Sequence, residues 1–244
     1  MSETSTLIGY SGRTIGREEL ALVPTPPATE THRPIPHHEI VGALIETLGF
    51  RHIGVVHDEY AVSPDGMKMF GVVDLATEIG GCRFSIGLRN SHDKSMRLGM
   101  TCGYRVFVCS NMAFSGDFTP VLAKHSKSFS LMDCVSVGVD RMQRNFEPMR
   151  KQVETWQRSE LIDVTAKVVI YEAFVEGRLE VPKHLARRVH DLYFEPRCDK
   201  FLSRTIWSLS NAFTSAFKEL EPIPQFKATA KLGEFPEARF SQSF

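Results

Sequence analysis

Several residue groups in this chain have the types that chemistry needs. Ser91-His92-Asp93 spells the members of a serine–histidine–aspartate relay, in which the histidine takes the nucleophile's proton and the carboxylate orients the ring. Cys109 with His92 offers a thiol nucleophile and a base. His37-x-Glu39 matches half of a zinc-deaminase signature. Arg83, Arg89, Arg97 and Arg105, together with Lys94, supply cations of the kind that hold phosphates.

Each group also has a plainer reading. Alternate side chains of an extended strand point to opposite faces, so Ser91 and Asp93 face one way and His92 the other. The three do not form a relay with one another. Asn90, Ser91 and Asp93 are turn-forming residues, and His92 at the strand end is expected to be a satisfied hydrogen-bond partner. Cys109 falls in an apolar strand, where a buried thiol behaves as a small hydrophobe. Asn111 beyond it suits a turn, a backbone tie or a ligand contact. The Pro-Cys-x-x-Cys half of the deaminase motif is missing, and Pro196-Arg197-Cys198 does not supply it. Adjacent His37 and His38 diverge on a helix, so no metal is expected. Without a Walker motif, a G-x-G-x-x-G or an H-E-x-x-H, nothing points to an ATPase, a dinucleotide enzyme or any cofactor.

The bulk composition sets the frame. The chain has 244 residues, 42% apolar and 24% charged, enough for one large domain with a real core. Lys+Arg and Asp+Glu are equal at 29 each, so attraction to a polyanion has to come from a local patch. Five cysteines without a C-x-x-C pair argue for reduced thiols rather than a disulfide framework or a four-cysteine zinc site. No secretory signal or membrane-spanning run is visible, so a cytoplasmic protein with no membrane partner is expected.

The elements that position these groups follow from periodicity. Residues 1–36, rich in Pro, Ser and Thr, read as a flexible arm. Ile40, Val41, Leu44, Ile45 and Leu48 form one stripe of a helix over His38–Leu48, with Gly49 as its C-cap. Strands are expected at Arg51–Val62, Met67–Leu75, Cys82–His92 and Met96–Cys109, with turns at Pro64-Asp65-Gly66 and Gly80-Gly81. From Leu131 to Trp156 the spacing becomes helical, and Pro148 inside it predicts a kink or two abutting helices. Further helices are expected at Ile162–Glu176, Pro182–Tyr193 and Asp199–Leu220, and an extended tail over 222–244. The fold class is therefore α+β: an N-terminal helix, an antiparallel meander of four to five strands, then four to five packed helices. The sheet half is expected to occupy 37–129 and the helical half 130–221.

The register of the Cys82–Cys109 hairpin follows from parity. Its apolar residues occupy even positions on both strands, so opposed positions must sum to an even number. A loop of Asp93-Lys94-Ser95 satisfies this and pairs Leu88 with Met100, Ile86 with Cys102 and Phe84 with Tyr104. Arg83 then opposes Arg105, and Arg89 lies diagonal to Arg97. These four share the other face with Gly87, Gly99 and Gly103, a surface suited to a phosphate backbone. The alternative is a solvated face, or pairing with Asp74, Glu78 or helix carboxylates. A second basic cluster, Lys183, Arg187, Arg188, Arg197, Lys200 and Arg204, is interleaved with Tyr193, Phe194, Phe201 and Trp207, of which Phe201 and Trp207 read as core.

The run Arg89-Asn90-Ser91-His92-Asp93-Lys94-Ser95, followed by Arg105-Val106-Phe107-Val108-Cys109-Ser110-Asn111-Met112-Ala113-Phe114, resembles the phage- and plasmid-borne family known as domain of unknown function 932. In that family an N-S-H-D-G-S turn precedes an R-x-V-C-x-N-G-L strand. The order of elements upstream and Trp207…Asn211-Ala212-Phe213-Thr214 are similar too, so the likeness runs from Pro34 to Phe217. Two departures stand out. Lys94 occupies the place of a glycine, which makes a left-handed turn costlier, and Met112-Ala113 replaces Gly-Leu. The resemblance implies a role around DNA transfer, recombination or host conflict. The helix–meander–helix order is also similar to that of single-strand annealing proteins. The expected function is nucleic-acid binding without catalysis, with a homo-oligomer possible. The alternatives are a hydrolase or nuclease using His92, Asp93 and Cys109, or a protein that binds a host factor through the Leu131–Trp156 seam.

Overall fold

A computed structural model describes residues 14–106, 112–114, 121–123, 130–196, 198–221, 224–225 and 227–233, with the backbone alone at 112–114 and 121–123. A short helix α1 (Arg17–Ala21) and α2 (His37–Phe50) precede the strands β1 (Val55–Val62), β2 (Lys68–Ile79), β3 (Cys82–Ser91), β4 (Leu98–Val106), β5 (Met112–Phe114) and β6 (Val121–Ala123). Helices α3 (Leu131–Arg158), α4 (Asp163–Phe174), α5 (Leu185–Phe194) and α6 (Ile206–Phe217) follow, with a 3₁₀ turn at Asp199–Phe201. This is the α+β arrangement expected.

The four long strands form an antiparallel meander, and β5 and β6 both pair with the free edge of β4. Leu88 faces Met100, Ile86 faces Cys102, Phe84 faces Tyr104 and Arg83 faces Arg105, the register that parity demands. Gly80 and Gly81 both have positive φ, so the two-residue link between β2 and β3 matches the strand twist. Tyr60, Met69, Val73, Phe84, Ile86, Leu88, Met100 and Cys102 make one apolar face. α2 and α3 cover it: Val135, Val139, Met142, Met149, Val153 and Trp156 are buried there, and Phe146 stacks on Phe84 at 4.3 Å. The Leu131–Trp156 seam therefore packs on the sheet, with Leu131 and Phe146 partly buried at it. α4, α5 and α6 build a second core around Phe174, Val189, Phe213 and Phe217. α6 joins the two, because Ile206 and Trp207 belong to the first core and its later residues to the second.

Several boundaries differ from expectation for local reasons. α2 runs through Gly49, and the residue with positive φ after it is His52. α3 remains one helix through Pro148, which lies on its exposed side. Part of the presumed arm is docked: Ile15 bridges to Tyr60, Arg17 pairs with Asp58 at 2.7 Å and Leu20 is fully buried. The tail is not extended where it is described, since 227–233 is helical and buries Ala228 and Leu232 in the second core.

Candidate functional site: the Asn90–Asp93 turn and the arginine face

Strand parity separates Ser91-His92-Asp93. Ser91 Oγ accepts from Met96 N and donates to Met96 O, both at 3.0 Å, so the side chain closes the hairpin loop like an extra rung. Asp93 Oδ1 accepts from Ser95 N at 3.0 Å, and its carboxylate pairs with Lys68 at 3.7 Å. Lys94 adopts φ 64°, the left-handed conformation that glycine would take more easily. Lys94 and Arg97 are both exposed at this tip.

His92 turns the other way and is buried. Its Nε2 donates to Ile35 O at 3.0 Å, and its carbonyl accepts from His32 Nε2 at 3.1 Å. Asn90, on the same face two residues earlier, donates to Ile35 O and to His37 Nδ1, while His37 Nε2 donates to Gly66 O. These partners assign His37 as a neutral Nε2–H imidazole. Asn90 thus ties the 32–37 segment to the sheet instead of serving the turn itself. Desolvation pushes the His92 pKa below the usual histidine value. His32 and His37 were not legible as partners of this motif, because they lie about sixty residues away in the chain. Cys109 and Asn111 lie outside the described residues.

The arginine face is a structured surface. Arg105 reaches over β3 to Glu59 on β1 at 2.7 Å and to Asp74 on β2 at 3.0 Å. Both carboxylates are buried, Ser85 donates to Asp74 at 2.6 Å, and desolvation raises the Asp74 pKa despite the nearby guanidinium. Arg83 pairs with Glu78 at 3.4 Å. Arg89 lies across Gly99, where a β-carbon would come within 2.8 Å of its Nε. Gly99 therefore gives the Arg89 side chain room to lie flat and is covered by it. Phe70, Val72, Ser85 and Thr101 on this face are buried as well. Pairing with Asp74 and Glu78, the weighed alternative, describes Arg105 and Arg83.

The chain matches the family described as Domain of unknown function (DUF932) over residues 29–232. It belongs to that family. No curated protein and no solved structure matches it. The DUF932 match contains the turn, the arginine face, the second core and all of the first core except Leu20 and the residues beside it.

Two further features of this DUF932 chain bear on chemistry. Among the described residues no group of three His, Cys, Asp or Glu side chains is placed to hold a metal ion. A cleft of about 300 Å³ lies between Gly80-Gly81, Gln157 and the start of α6, lined also by Lys200, Ser203 and Trp207. Among the described residues its lining includes no carboxylate, imidazole or thiol. No helix among the described residues is long and apolar enough to cross a membrane.

Proposed function

We propose that this protein is a nucleic-acid-binding protein of mobile elements that acts without catalysis, in single-strand binding or annealing. The observation that carries the reading is Lys94. An exposed lysine occupies the left-handed position at the tip of a hairpin, beside exposed Arg97. That conformation costs a non-glycine residue about 1–2 kcal/mol. Strained backbone held firmly by its surroundings is a feature of ligand-contacting positions. Here Ser91, Asp93 and Lys68 hold the loop, so two cations are presented on a rigid ribbon, a form suited to phosphate contacts.

A binding role is favoured over a hydrolytic one because Ser91 is occupied with Met96 and His92 with Ile35, on opposite sides of the strand. Of the predicted arginines, Arg97 is the exposed one, while Arg83 and Arg105 position the sheet through their carboxylates. The same reading places the protein in the cytoplasm, with several copies assembling along a strand. Filter binding of single- and double-stranded DNA across a salt series tests it. A Lys94→Gly/Arg97→Gln double variant should bind more weakly and lose up to about two units of salt slope. Equal retention of both proteins at every salt concentration would sink the reading.

A further inference from the structure

α3 contains 28 residues and is about 42 Å long at 1.5 Å per residue. One side of it is buried on the sheet through Val135, Val139, Met142, Met149, Val153 and Trp156. Arg141, Arg144, Lys151 and Arg158 are all exposed. At 3.6 residues per turn they fall within an arc of about 100°, centred opposite the buried side. Arg144, Lys151 and Arg158 recur every seven residues, so they rise in a nearly straight file at intervals of about 10 Å. Pro148 and Thr155 occupy the same arc between them and carry no charge.

Between Arg144 and Arg158 no acidic residue lies within the arc itself; Asp133 and Asp140 share the arc nearer the start of the helix, and Glu147 stands just outside its edge. Asp140 is held by Arg51 at 2.7 Å, Arg51 is fixed in turn on Ser136 at 2.7 Å, and the Asp140 charge also acts on Arg144. Glu147 pairs with Arg150 at 3.7 Å, off the arc toward one flank, and Glu154 is half-buried on that same flank. An ordinary solvated helix face mixes both signs. In the second cluster, Arg187, Arg188 and Arg204 pair with Asp191, Glu219 and Asp163.

We infer that the solvent face of α3 is a second phosphate track, with the linear polyanion of a nucleic-acid backbone as its occupant. Cations of one sign, in file and evenly spaced on a rigid rod, complement a chain of regularly spaced phosphates. The inference rests on the nucleic-acid reading above but on different residues. Gln157, in the last turn of α3, donates to Gly80 O at 2.7 Å, so that end of the track lies at the end of β3 away from the Lys94 tip. A strand engaging both surfaces would follow the protein for most of its length.

Fluorescence anisotropy of labelled single-stranded and duplex DNA of about 30 nucleotides, over a salt series, tests the track. The proteins compared are the wild type, Arg144→Gln/Lys151→Gln/Arg158→Gln and Lys94→Gly/Arg97→Gln. The α3 variant should lower the slope of log K against log salt by about 2 on single strands or about 3 on duplex. The arm whose loss reaches its own expected value identifies the form bound. Each single Gln variant should remove up to about one unit, which keeps the test decisive if the triple variant misfolds. An unchanged slope in the α3 variants, with weakened binding in the hairpin variant, overturns the track and leaves the nucleic-acid reading standing. Absence of wild-type binding to either DNA overturns both. Binding to vesicles of phosphatidylserine and phosphatidylcholine, lost in the α3 variant and without DNA binding, would assign the surface to a membrane instead.

Discussion

The imidazole rings of His37 and His92 are stacked, with centroids 4.0 Å apart and planes 8° from parallel. Each ring donates its Nε2 proton to a backbone carbonyl, His37 to Gly66 and His92 to Ile35. The stack pins the start of α2 to the end of β3, and it is built for neutral rings. Desolvation lowers the His92 pKa, His32 adds to the lowering, and the Ile35 bond and Asp93 only partly oppose it. A base whose folded pKa is depressed binds fewer protons when folded, so its stabilising contribution is present above the unfolded value of about 6.5. It is lost as the pH falls through the lower folded value.

The urea midpoint should therefore fall between about pH 7.5 and about pH 5.5. In His92→Phe, which keeps a stacked ring but cannot take up the proton, the decline should flatten. An equal decline in both proteins would remove His92 from this role.

Arg105 stands between Glu59 and Asp74 under little solvent, so its removal leaves two buried carboxylates without their cation. Breaking a buried charge cluster on one side costs about 3–5 kcal/mol. Arg105→Met should lower stability by that order in chemical denaturation. Arg97→Gln, at an exposed position, should change it by less than about 0.5 kcal/mol. Similar losses in the two variants would mean that the arginine face is not divided into structural and exposed parts.

Lys94 separates stability from binding. Glycine at this position relieves the left-handed strain but adds freedom to the unfolded chain, for a net gain of about 0.5–1 kcal/mol. Lys94→Gly should therefore be more stable than the wild type and yet bind DNA more weakly. Thermal unfolding beside a binding titration checks both signs. A variant that loses stability would show that the lysine side chain holds the loop.

Gly71 opposes Tyr60 across β1 and β2, and a β-carbon there would sit 2.6 Å from the Tyr60 ring. Tyr60 is fully buried and its hydroxyl donates to Asp58 at 2.7 Å, so the ring has little room to yield. Gly71→Ala should cost about 1–3 kcal/mol by overpacking, measured by denaturant unfolding. Gly42→Ala, where an added methyl meets nothing within 4 Å, should be neutral or stabilising.

Much of the fold was legible because it rests on period and parity. The even-numbered row Phe84, Ile86 and Leu88 determines which face of β3 is buried, and one face is enough to fix its pairing with β4. The same parity ruled out a Ser91-His92-Asp93 relay. What could not be read were contacts between distant segments. Nothing local to Arg105 signals that Glu59 will lie 2.7 Å away, and nothing near His92 names Ile35 as its partner. Gly99 was equally ambiguous in sequence, since open backbone and a bed for Arg89 both call for glycine. The cationic file of α3 was present in the spacing of Arg144, Lys151 and Arg158, but only the buried seam opposite shows that the file faces solvent.

The claim that this protein binds nucleic acid is tested most directly by filter binding of single-stranded DNA at about 50 mM and about 200 mM salt, with wild type and Lys94→Gly/Arg97→Gln side by side. The prediction is retention by the wild type at the lower salt, a steep loss at the higher, and weaker retention by the double variant at both. No retention of single-stranded or duplex DNA by the wild type at the lower salt would contradict it.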